Sequence, residues 1–113
     1  MNWIALTNSA QLENIKLDTT GKSIVIFKHS TRCGISRMVL KNFEREFNLS
    51  EDDIDMYYLD LLNFRELSND ISKRFVLTHQ SPQLLLIKNG VIIYNASHGD
   101  IQVDKLKDIV GSK

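Results

Sequence analysis

At 113 residues, with one cysteine and one proline, the chain is about one domain long and can bury a core without disulfide staples. Lysine plus arginine and aspartate plus glutamate balance at 14 each, so net charge supplies no pull toward nucleic acid or an anionic membrane. Specificity must therefore come from a local site, and a lone cysteine excludes an intramolecular disulfide and suits a reducing cytoplasm.

The first residues, Met1 to Thr7, lack a basic leader, and their apolar stretch is too short for a signal peptide. No apolar run approaches the ~20 residues that a spanning helix needs. A soluble cytoplasmic chain, folded as a single domain over residues 1–113, is the expectation.

Trp3 to Leu6 is a short apolar stretch, and Thr7-Asn8-Ser9 supplies capping residues for a helix carrying Ala10, Leu12 and Ile15 that Gly21 closes. Ser23-Ile24-Val25-Ile26-Phe27 is β-branched and nearly continuous in apolarity, the pattern of a strand buried on both faces. After Cys33, the residues Ile35, Met38, Val39, Phe43 and Phe47 track one helix face, with Lys41, Glu44, Arg45 and Glu46 on the other. Ile54 to Asp60 reads as a third strand, its Tyr57-Tyr58 pair as packing, and Phe64, Leu67, Ile71 and Phe75 return to helical spacing. Thr78-His79-Gln80-Ser81-Pro82 leads into Gln83-Leu84-Leu85-Leu86-Ile87-Lys88. Asn89-Gly90 then signals a hairpin, and Val91 to Tyr94 returns. Asp100 or Asp104 can cap a last helix with Leu106, Ile109 and Val110.

Cys33 carries the chemistry. It stands between the apolar strand and the amphipathic helix, where unpaired helix N–H groups and the positive end of the helix dipole favour a thiolate over a thiol. Lys28, His29, Arg32 and Arg37 give it a cationic neighbourhood in sequence. Ser36 occupies the place of a second cysteine, so the motif is C-x-x-S. The thiol can attack a disulfide and form a mixed disulfide, but no partner in the chain can resolve it. His29, His79 and His98 have no recognised metal-ligand spacing with Cys33, and hydrogen-bonded or solvent roles are favoured for them. Asp55 and Asp60 are candidate proton acceptors, with solvated strand-end positions the favoured reading.

The order βαβαβαββα, with early strands parallel and a final antiparallel hairpin, makes a three-layer α/β domain with a mixed central sheet and helices on both faces. With Cys33 at the second strand-to-helix junction and Pro82 before the hairpin, the whole chain resembles the thioredoxin fold. The resemblance implies a cis proline facing the cysteine, with the backbone of Ser81 free to pair with an extended substrate.

Three blocks narrow the family. Phe27-Lys28-His29-Ser30-Thr31 before Cys33, His79-Gln80-Ser81-Pro82-Gln83 at the proline, and Ser97-His98 after the hairpin resemble the YtxJ-type monothiol bacilliredoxins, whose motif is Phe-Lys-His-Ser-x-x-Cys-x-Ile-Ser. Two positions depart from that pattern: Gly34 replaces a frequent proline, and Gly99 an aromatic. The resemblance implies a bacterial general stress protein that reverses S-bacillithiolation under oxidative stress. Cys33 is then the catalytic residue, with Thr31, Arg32, Gly34, Ser36, Ser81, Pro82 and His98 supporting it or binding substrate. Bacillithiol is the implied thiol co-substrate and S-thiolated proteins are the partners, with no metal, nucleic acid or membrane expected.

Other readings compete. Cys33-Gly34-Ile35-Ser36 differs at one position from the Cys-Gly-Phe-Ser of monothiol glutaredoxins, which bridge a [2Fe–2S] cluster. Their Gly-Gly-x-Asp glutathione motif is absent, with only His98-Gly99-Asp100 in its place. Cys33-Gly34-Ile35-Ser36-Arg37 also resembles glutaredoxin-coupled arsenate reductases, but only locally. A non-catalytic thioredoxin-like module that binds peptides at the Pro82 face is the third alternative.

Overall fold

The apolar run that precedes Cys33 is the central strand of a five-stranded sheet, and the other elements are arranged around it. The computed structural model describes residues 2–49 and 54–111. In chain order the elements are β1 (Ile4–Ala5), α1 (Ser9–Leu17), β2 (Ser23–His29), α2 (Gly34–Glu46), β3 (Ile54–Asp60), α3 (Arg65–Arg74), β4 (Gln83–Lys88), β5 (Val91–Ser97) and α4 (Val103–Gly111). A single 3-10 turn, His98–Asp100, follows β5. The sheet order is β1-β3-β2-β4-β5.

Side chains of β2 alternate between two cores. Val25 and Phe27 pack with Val39 and Phe43 of α2 and Val103 and Leu106 of α4. Ile24 and Ile26 pack with Leu12 and Ile15 of α1 and Leu67 and Ile71 of α3. Every residue of β2 is buried, which is why the strand shows no polar alternation in sequence. Trp3 closes one side of the first core, its ring 5.7 Å from Phe27 and 5.9 Å from Tyr58.

β1, β2 and β3 are parallel, but β4 runs antiparallel to β2, so the direction changes one strand before the hairpin. After α3 the chain has no crossover helix left and returns through residues 75–82 to the end of the sheet where β2 finishes. Asn89 and Gly90 both take positive φ, 52° and 75°, as a tight hairpin turn demands. At Gly90 a Cβ would come 2.3 Å from the Lys16 carbonyl oxygen, so only glycine fits.

Four details depart from the sequence expectations. β5 extends to Ser97 because Asn95, Ala96 and Ser97 pair with Leu85, Leu84 and Gln83, so strand pairing overrides weak β propensity. Neither Asp100 nor Asp104 caps α4: Asp100 ends the 3-10 turn and Asp104 lies in the helix's first turn. α1 ends at Leu17 with Asp18 as its C-cap, ahead of Gly21. On α2 the buried stripe is Ser36, Val39 and Phe43, while Ile35 and Met38 are 61% and 57% exposed.

Candidate active site

Cys33 is the N-cap residue of α2. Its N–H donates to the Ser30 carbonyl at 3.2 Å, closing the turn after β2, and its carbonyl accepts the Arg37 N–H at 3.0 Å, opening the helix. The backbone is extended there (φ −92°, ψ 120°), and the side chain makes no capping hydrogen bond. The thiol is free and exposed, next to N–H groups of the first helical turn that lack intrahelical acceptors. Thr31, Arg32, Gly34 and Ile35 around it are exposed as well.

Ser36 is fully buried, and both of its partners come from the end of β2. Its Oγ accepts the Ser30 N–H at 3.2 Å and lies 2.8 Å from His29 Nδ1. The Oγ–Nδ1 hydrogen bond takes its direction from the imidazole tautomer. Burial, with a smaller contribution from Arg37, holds His29 below the usual imidazole range against Asp60, the Ser36 backbone and Glu44, so the ring is neutral. Ser36 is therefore a pin between β2 and α2.

The cationic neighbourhood expected from sequence is reduced to Arg32 and Arg37, since His29 is neutral and Lys28 points elsewhere. Lys28 sits on the α1/α3 side of the sheet with Ile24 and Ile26 and is fully buried. Its Nζ donates to His79 Nδ1 (3.0 Å), Gln83 Oε1 (3.3 Å) and Ser72 Oγ (3.5 Å). Burial pushes the Lys28 ammonium down to about 8. His79 is lowered too, by burial first and then by the charges of Lys28 and Arg65. Nothing in the local sequence reveals this cluster except the lysine itself, which is out of place in a strand buried on both faces.

Lys28 pairs with Gln83 in the sheet, and Gln83 with Ser97. The turn at Cys33, the loop before β4 and the turn at His98 therefore leave one end of the sheet from adjacent strands. The Ser81–Pro82 bond is cis. The Pro82 carbonyl accepts the His98 N–H at 3.1 Å, so His98 supports the proline loop through its backbone, with φ 52°. Ser81 Oγ is buried without a hydrogen-bond partner. Asp60 and Asp55 have structural partners: Asp60 accepts the Leu62 N–H and an Asn63 amide, and Asp55 pairs with Lys22.

A shallow groove of about 480 Å3 lies along the first turns of α2, lined by His29, Gly34, Arg37, Met38, Leu40 and Lys41. A second, of about 410 Å3, lies between α2 and α4 and includes Met38, His98 and Gly99. A third concavity, about 750 Å3, lies at α3 and the start of α1, and Cys33 lines none of the three. Ile35 and Met38, which periodicity places on one helix face with Val39 and Phe43, are exposed and give the surface near Cys33 an apolar character. Among the described residues no helix is long and apolar enough to cross a membrane, and no three His, Cys, Asp or Glu side chains come together as a metal site.

The family model for the monothiol bacilliredoxin BrxC matches residues 4–106. Among solved structures, a protein with a thioredoxin fold is 35% identical, over 94% of this chain and 91% of that one, with a TM-score of 0.78. A thioredoxin from Trypanosoma brucei brucei is 16% identical, covering 98% of this chain and 93% of that one at a TM-score of 0.76. A thioredoxin from Malassezia sympodialis is 18% identical, covering 98% and 89% at a TM-score of 0.73. The last two share the fold.

Proposed function

Because the chain belongs to the monothiol bacilliredoxin family, whose chemistry is that of a redox thiol, we propose that Cys33 removes bacillithiol from S-bacillithiolated proteins. The observation that carries this reading is an exposed thiol at the N-cap of α2, unspent on capping, in a chain with no second cysteine.

The Cys33 thiolate attacks the bacillithiol sulfur of the mixed disulfide. The bond between that sulfur and the substrate cysteine breaks, the substrate leaves as a thiolate and takes up a proton, and a Cys33–bacillithiol disulfide forms. A free bacillithiol thiolate then attacks the bacillithiol sulfur of this adduct, releasing Cys33 and bacillithiol disulfide. Each step exchanges one S–S bond for another, and no net electrons enter or leave. Ser36 cannot resolve the adduct, so the outgoing thiol must come from outside the chain. Thr31, Arg32 and Gly34 form the rim of the thiol. The Ser81 backbone beside Pro82, with the His98 turn behind it, offers the edge for an extended substrate. The setting that suits this chemistry is a bacterial cytoplasm under oxidative stress.

The test is intact mass of the reduced protein after brief exposure to a bacillithiolated peptide and, separately, a glutathionylated one. An adduct on Cys33 that forms much faster from the bacillithiolated peptide, and that Cys33→Ser abolishes, is expected. Retained turnover in Cys33→Ser would sink the proposal. Equal rates from both peptides would leave a general monothiol exchanger.

A further inference from the structure

Lys28 is held in the α1/α3 core at a cost. Burial disfavours its charged form, and none of the groups bonded to it is a carboxylate. The arrangement nevertheless matches an ammonium: three N–H donors meet three acceptors, Ser72 Oγ, His79 Nδ1 and Gln83 Oε1. A neutral amine has only two donors and would leave one of them unserved.

The contacts of this cluster converge on one segment. Lys28 holds His79 directly and steadies Gln83. The Gln83 side chain accepts the Gln80 N–H at 3.3 Å and donates to the Thr78 carbonyl at 3.1 Å. Thr78, His79 and Gln80 are thus all tied to the Lys28–Gln83 pair immediately before the cis Ser81–Pro82 bond. On the far side, Pro82 is tied to His98. A group that burial penalises, kept next to the edge of the thiol site and spent on its loop, fits a functional requirement better than a stabilising one.

We propose that Lys28 is a positioning residue for thiol exchange, its ammonium fixing the Thr78–Pro82 loop against which the thiolated substrate is held. The inference rests on the reading of Cys33 as the exchanging nucleophile. Lys28 touches neither the thiol nor the reacting disulfide, so its effect falls on substrate binding.

The experiment compares wild type, Lys28→Met and His79→Ala in steady-state transfer from a bacillithiolated peptide and a glutathionylated one, alongside alkylation of Cys33 by iodoacetamide. Lys28→Met is expected to raise KM about tenfold with kcat within about twofold, because the lost interaction serves binding rather than the transition state. Its alkylation rate stays at the wild-type value and its thermal midpoint does not fall. His79→Ala loses one arm of the cluster without altering the core, raises KM by a smaller factor, and carries the test alone if Lys28→Met does not fold. Wild type that exchanges with neither peptide would overturn the reading of Cys33 itself. Wild type that exchanges while the folded variants keep its KM would overturn this inference alone. So would a parallel drop in alkylation, which would mean that Lys28 acts on the thiol.

Discussion

Between the sheet and α2, the hydroxyl of Ser36 serves two partners, accepting the Ser30 N–H and sharing a hydrogen bond with His29 Nδ1. Both partners are in or next to the last residue of β2, so one side chain fixes the turn that carries Cys33. Ser36→Ala removes the hydroxyl but leaves a buried imidazole nitrogen and a backbone N–H unsatisfied. The expected loss is about 1–3 kcal/mol of stability, read as a lower urea midpoint. Transfer by the folded variant persists, because the nucleophile is untouched; an unchanged midpoint would show that water replaces the hydroxyl at no cost. The C-x-x-S spacing was readable in the sequence. The commitment of its serine was not, since that depends on how β2 and α2 meet.

Helix α2 begins at Gly34, where proline is favoured because the missing N–H has no intrahelical acceptor and the ring's φ suits the first turn. The residue before a proline must be extended, and Cys33 already is, at φ −92° and ψ 120°. A Cβ at Gly34 meets no atom within 4 Å. Gly34→Pro is therefore expected to raise stability by about 0.5–1 kcal/mol by restricting the unfolded chain. Thermal denaturation checks it, and a lowered midpoint would show that the Gly34 N–H has a partner that proline removes. The same helix shows where periodicity stops being informative. Ile35, Met38, Val39 and Phe43 lie close enough in angle to read as one stripe, yet the sheet covers only the side with Val39 and Phe43. β2 and the Asn89-Gly90 turn were readable because a continuous β-branched run and positive-φ residue types are local signals. The Lys28 cluster was not, because its partners in α3, the loop and β4 are distant in sequence.

Across the whole molecule, imidazoles lie on both sides of the sheet: the buried His29 toward α2, and the exposed His79, whose ring nitrogen meets Lys28 and α3. Burial is the leading cause of the lowered pKa at each. Their folded values lie below the unfolded value of about 6.5, so the unfolded chain binds more protons as the solution is acidified through that range. Stability therefore rises with pH there: the contribution is complete above about 6.5 and is lost as pH falls toward the folded values. Lys28 has the same sign in a higher window. Its folded value of about 8 lies under the unfolded 10.5, so stability rises again between the two. The urea midpoint at pH 5.5 is accordingly expected below that at pH 7.5. His79→Ala, which removes one of the two imidazoles without opening the core, should flatten part of that slope, and Lys28→Met should abolish the rise above pH 8. A wild-type midpoint that does not move between pH 7.5 and 5.5 would mean that neither ring resists protonation in the folded state. The neutral His29 beside Ser36 and the His79 acceptor for the Lys28 ammonium would then both have to be abandoned.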